Sequence, residues 1–377
     1  MIEKNKRGSI LFICPDIRFF ISHRLNLINV ANTLNLDTVI AGNWPSGKPP
    51  PVPALRVYNL PQLFGFWSGF LFAIKILRLT LDCRPDVIHI ITMKGLLFSS
   101  FATYFCRRRV ISITGLGSVF GRLADRNRCG RWFLISLFRI LLKKSDILIV
   151  QNQDDYRLIR YAGISEENTI LLRGVGIRFS DFAYVPVKTT PPYSVVMPSR
   201  VIRDKGVIEY IEAVKIFRTL TDIDVRFKYC GGFYEDANPS AIRKDEFFNL
   251  LEDAEIEYLG EVEDIIELFQ CTTVVVLPSY REGFPKVLIE ASAVGRPVVT
   301  TNVPGCREAI VPGATGLLCE VRSSVSLAES LVTLLGDDEL LAKFGEKART
   351  YAKSEFSEDM FIGAHERIYS GFFYGSK

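Results

Sequence analysis

Metal-binding and redox motifs are missing from this chain. Its eight cysteines, at positions 14, 83, 106, 129, 230, 271, 306 and 319, form no Cys-x-x-Cys and no metal-like spacing. Scattered thiols in a chain of this size read as reduced, which places the protein in the cytosol. No secretory signal is visible: Met1 to Arg7 is charged, and the run that follows, Ser9–Ile17, already contains Pro15 and Asp16. Uninterrupted apolar runs of membrane-spanning length are also lacking. The longest candidate, Phe64 to Leu81, is broken by Lys75 and Arg78, and Pro85 ends any extension. Recognised RNA- or DNA-reading motifs are absent as well.

What remains is apolar and large. A chain of 377 residues exceeds one ordinary core and fits two domains, and 48% hydrophobic content with 27 Phe supports extensive burial. The formal net charge of +4 hides a division. Residues 1–183 hold 25 Lys/Arg against 12 Asp/Glu, whereas the remainder holds 21 against 30. Within 106–144 ten basic residues (Arg107, Arg108, Arg109, Arg122, Arg126, Arg128, Arg131, Arg139, Lys143 and Lys144) face Asp125 alone. Such a patch attracts polyanions: a nucleic acid, an anionic bilayer or a phosphorylated substrate. Just before it, Phe64–Leu81 gathers Ser68, Lys75, Arg78 and Asp82 on one helical stripe. That pattern suits a mostly buried core helix or a helix lying in a membrane interface.

Short β-branched runs alternate with helical patterns throughout. Ser9–Cys14, Asp37–Ala41, Asp86–Ile90, Val110–Ile113 and Asp146–Val150 read as strands, separated by helices at Ser22–Leu36, Gly95–Arg107 and Arg131–Lys144. After a proline-rich linker, Val185–Pro192, the alternation restarts. Strands follow at Ser194–Met197, Asp224–Cys230, Glu257–Leu259, Thr273–Leu277 and Pro297–Thr301. Helices follow at Lys205–Thr219, Pro239–Glu252, Asp264–Gln270 and Pro285–Val294. The expected fold is α/β: two doubly wound parallel sheets with a cleft between them. The domains fall at residues 1–184 and 193–355, with a C-terminal helix over 356–377 crossing back to the first. Ligands of such sheets bind where strands end and helices begin.

After the strand ending near Leu277 comes Pro278-Ser-Tyr-Arg-Glu-Gly-Phe-Pro-Lys-Val-Leu-Ile-Glu290. Pro285 suits a first helical turn, Gly283 permits close backbone approach, and the free N–H groups of the helix start make an anion site. Glu282 precedes that helix and Glu290 lies inside it, so the two carboxylates address different parts of one extended ligand, each able to take a diol. After the strand Ser194–Met197, Arg200 and Lys205 flank another helix start. Two cations there suit a diphosphate and the charge of a departing one. No acidic pair follows a strand, since Asp154-Asp155 opens a helix elsewhere, so no metal is required.

Arg200-x4-Lys205-Gly206 with Glu282-x7-Glu290 resembles glycosyltransferase family 4, retaining enzymes of the two-domain GT-B fold. The likeness extends over SYREGFPKVLIEASAVGRPVV (279–299), NVPGCREAIVPGATGLL (302–318) and EYLGEVEDIIELFQC (257–271). It implies a UDP-sugar donor and no cofactor. By it, Glu290 holds the ribose, Glu282 with Gly283, Phe284 and Pro285 holds the transferred sugar, Arg200 and Lys205 bind the diphosphate, and the Leu259–Val262 turn faces the base. Residues 19–25 (FFISHRL), 114–120 (TGLGSVF) and 172–177 (LRGVGI) resemble bacterial hexosaminyltransferases acting on undecaprenyl-diphosphate-linked sugars in N-glycan and O-antigen assembly. That likeness implies a lipid-diphosphate-linked acceptor, N-acetylgalactosamine among the donor sugars, and peripheral placement on the inner membrane face. Two departures stand out. The family's glycine-rich first loop is absent between Pro15 and His23, and Thr114-Gly115-Leu116-Gly117 replaces its first-domain histidine.

On the acceptor side Asp16, His23, Arg24, Gly115 and Gly117 are the candidates. His23 and Arg24 follow the first strand, with a capping or core role weighed equally for His23. His89 sits inside an apolar strand and reads as structural; His365 has no role. Two other readings stay open: a UDP-sugar epimerase of the same fold, and a nucleic-acid-binding protein using the 106–144 patch.

Overall fold

The computed structural model describes residues 8–44, 56–63, 66–115, 128–143, 146–233 and 240–374. The chain divides into two compact units, Met1–Gly176 with Glu358–Lys377, and Ile177–Ser357. In the first unit seven strands run parallel: β1 Ser9–Asp16, β2 Asp37–Asn43, β3 Arg56–Asn59, β4 Val87–Ile91, β5 Arg109–Ile113, β6 Ile147–Val150 and β7 Thr169–Leu171. Their order is β3-β2-β1-β4-β5-β6-β7. Strands covered on both faces need apolar side chains at successive positions, which is why β4 and β5 are buried throughout.

Alternate strand residues face opposite layers. Leu11, Ile13, Ile88, Ile90, Ile111 and Ile113 pack beneath α3 Phe66–Cys83, α4 Met93–Ser99 and α5 Arg128–Leu141. Ile10, Phe12, Cys14, Val87 and Val110 pack beneath α1 Ile17–Arg24, α2 Asn26–Thr33 and the C-terminal helix Glu358–Tyr374. That last helix rests on α2, seating Phe361 and Tyr369 in the same core. Among the described residues no helix is long and apolar enough to cross a membrane.

The second unit repeats the plan. β8 Tyr193–Pro198, β9 Val225–Cys230, β10 Glu257–Tyr258, β11 Val274–Leu277, β12 Val298–Thr301 and β13 Gly316–Cys319 run parallel in the order β10-β9-β8-β11-β12-β13. The first unit also holds α6 Gln153–Tyr161; the helices of the second are α7 Val207–Leu220, α8 Lys244–Asp253, α9 Ile265–Gln270, α10 Lys286–Val294, α11 Ser324–Leu335 and α12 Asp338–Glu355. In each sheet the strand order reverses once, between β1 and β4 and between β8 and β11. Loops leaving such adjacent strands diverge to opposite faces and open a crevice at their carboxyl ends.

Several sequence expectations shift. The helix expected over Ser22–Leu36 starts at Ile17 instead, because the Asp16 side chain accepts from the Arg18 amide at 2.9 Å, and it is interrupted at Leu25. The Gly95–Arg107 helix ends at Ser99 and continues as turns. Lys205–Thr219 starts at Val207, preceded by a single 3-10 turn over Arg203–Lys205. The Val185–Pro192 segment, expected as a linker, is part of the second unit, with Val187 buried and the Val185 carbonyl bonded by Arg296. Arg109 leaves the surface patch: it is fully buried, its Nε donating to Asp146 Oδ1 at 2.9 Å and its other nitrogens to the Ser100 and Leu141 carbonyls at 3.1 Å. Arg122, Arg126 and Lys144 lie outside the described residues.

Candidate active site

The loops leaving β8 and β11, at the reversal point of the second sheet, bring together side chains 77 positions apart. Lys205 Nζ pairs with Glu282 Oε1, and the Ser279 hydroxyl donates to the same oxygen at 2.7 Å. Both side chains are largely screened from water, with 19% and 14% of Lys205 and Glu282 exposed, so their mutual field is stronger than at an open surface.

Glycine makes that contact possible. Gly206 has φ +76°, and a Cβ there would overlap the Pro278 carbonyl, so only glycine lets α7 begin against the β11 loop. The Tyr280 amide then donates to the Asp204 carbonyl at 2.9 Å, tying the two loops directly. The Tyr280 hydroxyl donates to Glu209 at 2.7 Å, and Arg322 stacks 4.5 Å above its ring. Burial first, then Glu209, keeps that phenol protonated well beyond its usual range.

A second turn supports Glu282 from behind. Gly305, φ +79°, brings Asn302–Gly305 against the Glu282 and Gly283 carbonyls; a Cβ would lie 2.8 and 2.6 Å from them. The Glu282 amide donates to the Pro304 carbonyl at 3.3 Å. Cys306 is buried beneath, its thiol pushed up to about 12 by desolvation and then by the Glu282 charge.

Pro285 caps α10, leaving the first amides of that helix beyond the Gly283–Phe284 backbone. Phe284 is buried against Phe356, with ring centroids 5.2 Å apart, and contributes packing plus backbone. Glu290, also buried, is held by Lys286 one turn earlier at 2.9 Å. Arg200 stands exposed on the β8 loop, and Val262, half-buried after β10, packs on the core beneath α10. Thus Lys205, Glu282 and Gly283 converge, while Glu290 lies deeper along α10. Ser279, Tyr280 and Gly305 had no assigned role in the sequence reading. All three stand within its quoted runs. Ser279 meets Glu282 within one loop, three residues away, a spacing the sequence displays, whereas the contacts of Tyr280 to Glu209 and of Gly305 to Gly283 join distant segments and leave no local signal.

At the reversal point of the first sheet, Asp16 caps α1 and also meets Arg18 Nε at 3.3 Å, with 46% of its side chain exposed. His23 stacks on Phe19, centroids 4.4 Å apart, its Nδ1 2.7 Å from the Ser22 hydroxyl. Arg24 departs from expectation. It is buried, donates to the His23 carbonyl at 3.0 Å and lies 5.4 Å from the Phe361 centroid. Desolvation lowers its pKa to about 10. A guanidinium enclosed by α1 and the C-terminal helix does not present the forked face a diphosphate needs. Gly115 has φ +117°, a conformation glycine tolerates; Gly117 lies outside the described residues.

His89 is structural: it bridges Tyr369 Oη and the Ser112 hydroxyl at 2.6 and 2.7 Å. His365 is buried beside it, its Nδ1 2.8 Å from the Phe361 carbonyl.

Residues 183–351 match the "Glycosyl transferases group 1" family model. The chain is 28% identical over 315 residues to an N,N'-diacetylbacillosaminyl-diphospho-undecaprenol alpha-1,3-N-acetylgalactosaminyltransferase of Campylobacter jejuni, 80% of each chain. It is 25% identical over 333 residues to the capsular polysaccharide biosynthesis glycosyltransferase CapM of Staphylococcus aureus, covering 84% of this chain and 85% of that one. The crystal structure of Anabaena HepE in complex with UDP and glucose superposes with a TM-score of 0.74 at 18% identity, over 97% of this chain and all of that one. The chain is therefore a glycosyltransferase of the GT-B fold, and its residues 183–351 are a group 1 glycosyl transferase domain.

Proposed function

We propose that the chain transfers a hexose or N-acetylhexosamine from a UDP-sugar, with retention and without a metal ion, to an undecaprenyl-diphosphate-linked saccharide in surface-glycan assembly. The Lys205–Glu282 contact at the reversal point of the second sheet carries this reading, because it sets a cation and a carboxylate side by side where a nucleotide sugar's diphosphate and hexose would meet. The bond between the sugar C1 and the β-phosphate oxygen breaks, and its electron pair stays on that oxygen. Lys205 and Arg200 meet the charge that develops there, with the α10 amides adding their dipoles. Glu282 and the Gly283–Phe284 backbone hold the hexose, Glu290 the ribose diol, and the 259–262 turn faces the base. The acceptor hydroxyl attacks C1 on the face the phosphate leaves, and its proton passes to the departing phosphate oxygen. No histidine base is then needed.

Asp16 and His23 are proposed to meet the acceptor, which the Campylobacter relative's lipid-linked substrate suggests. The exposed cations of the first unit, Arg107 among them, would favour the anionic inner membrane face. N-acetylgalactosamine is the donor sugar that relative points to. A donor screen for UDP release with a synthetic undecaprenyl-diphosphate sugar tests the proposal. Acceptor-dependent release with a UDP-hexosamine supports it; release from none of the UDP-sugars, or release independent of acceptor with epimerised product, overturns it.

A further inference from the structure

The helical layer of the first unit that covers Ile88, Ile90 and Ile111 has an apolar outer surface. Beneath, α3, α4 and α5 bury Phe72, Ile76, Met93, Leu96, Leu134 and Phe138 against the sheet. Outside, α3 displays Trp67, Phe70, Leu71 and Leu81, the turns after α4 display Phe101 and Phe105, and α5 displays Trp132, Phe133 and Ile140. Phe105, Trp67 and Trp132 are 90%, 76% and 68% exposed. Leaving such rings in water forgoes the gain of burying them, and proteins seldom cluster them on a free surface.

These elements are tied together. Phe98 of α4 fills the space above Gly69 of α3, where any Cβ would collide with its ring. Buried Arg109 joins Ser100 to Leu141 through their carbonyls, and Lys143 Nζ donates to the Cys106 carbonyl at 2.6 Å. Phe101, Phe105 and Ile140 are thereby held on one clamped corner. Among the described side chains of these elements and their flanking turns, the exposed charges include Lys75, Arg78, Arg84, Lys94, Arg107 and Arg139 against Asp82.

We infer that this layer is a membrane-insertion face, seated in the interfacial region of an anionic bilayer. Indole and phenyl rings favour the headgroup–acyl boundary, and Lys and Arg reach outward to lipid phosphates. Charge complementarity selects a lipid surface over an acidic protein: the cations are interleaved with large apolar side chains, which a folded acidic partner would leave without a matching apolar surface. The inference deepens the lipid-linked-acceptor reading without depending on it, because it is measured with neither donor nor acceptor present.

The full-length chain would be mixed with phosphatidylglycerol/phosphatidylethanolamine vesicles carrying brominated acyl chains. Of three tryptophans, Trp67 and Trp132 lie on this face and Trp44 does not. The expected result is a blue shift with strong quenching, lost in a Trp67→Phe/Trp132→Phe variant that still binds. Binding should weaken but persist at about 1 M salt, where the screening length is about 3 Å. Phe105→Ser with Trp132→Ser should raise the lipid needed for half-binding at least about tenfold, with an unchanged melting temperature because both side chains are exposed. Quenching absent in wild type, or binding abolished by salt, reduces the contact to electrostatic adsorption and overturns the insertion face. Failure of UDP transfer with this binding intact bears on the catalytic reading alone.

Discussion

Lys205 and Glu282 belong to separate loops, and each screens the other, so replacing either should expose the other's role. Lys205→Ala should lower kcat on the order of 10²–10³ at saturating donor, the usual effect of removing one preorganised charge at a transition state. Glu282→Gln keeps the shape and its Ser279 bond but removes the anion, and should also act mainly on turnover. Glu290→Gln should instead raise the donor KM, since a ribose contact is shared by ground and transition states. Steady-state kinetics separate these outcomes; near-normal kcat in Lys205→Ala would remove the diphosphate assignment. Gly206→Ala forces a Cβ into the Pro278 carbonyl at φ +76° and should lower both melting temperature and activity. Lys205, Gly206 and Glu282 stand out in the sequence because each follows a β-run and precedes a helix, whereas Glu290 lies inside one. Arg24 looked equivalent by the same rule, yet at the end of α1 it falls on the buried face, beside Phe361. Chain position names the strand end; the helix phase decides who faces out.

Elements were legible where their pattern is long. The apolar runs of β1, β4, β5, β8 and β11 were read within two residues, because strands buried on both faces carry an uninterrupted signal. β3, β7, β10 and β13 span two to four residues and depend on neighbours for their pairing, so three of these four went unread. The core-helix reading of Phe64–Leu81 describes the inner stripe of α3, which is buried; its outer stripe is exposed. The 106–144 patch loses Arg109 to the Asp146 pair, so Asp146→Asn should destabilise the first unit by about 3–5 kcal/mol, visible in urea midpoints, by stranding a buried guanidinium. The C-terminal helix adds a pH dependence. Burial holds His365 down to about 3 and His89 well below its ordinary range, with Arg24 repelling both protonated rings. The unfolded chain protonates them near 6.5, so below that pH it binds protons the folded state refuses. Stability should therefore fall from pH 7 to pH 5, by up to about 1.4 kcal/mol per pH unit per histidine, and His365→Met should flatten the slope. A urea midpoint independent of pH would contradict this.

Across the whole molecule, composition and alternation sufficed for two doubly wound parallel sheets, each of which reverses its strand order once. No local composition shift marks the division after Gly176, which falls before the proline-rich 185–192 segment; the first unit also takes in Glu358–Lys377, within the helix expected over 356–377. The charge division fits the proposed function: a basic first unit would suit a lipid diphosphate and an anionic surface, while Arg200 and Lys205, the cations proposed for the donor diphosphate, follow one strand of the acidic second unit. Central to the account is that Lys205 and Arg200, rather than a metal ion, neutralise the leaving UDP. The most direct test is acceptor-dependent UDP release in excess EDTA, for wild type and Lys205→Ala side by side. The account predicts undiminished release by wild type and a loss of on the order of 10²–10³ in the variant. Abolition of wild-type release by EDTA, with recovery on adding Mg²⁺ or Mn²⁺, would contradict it.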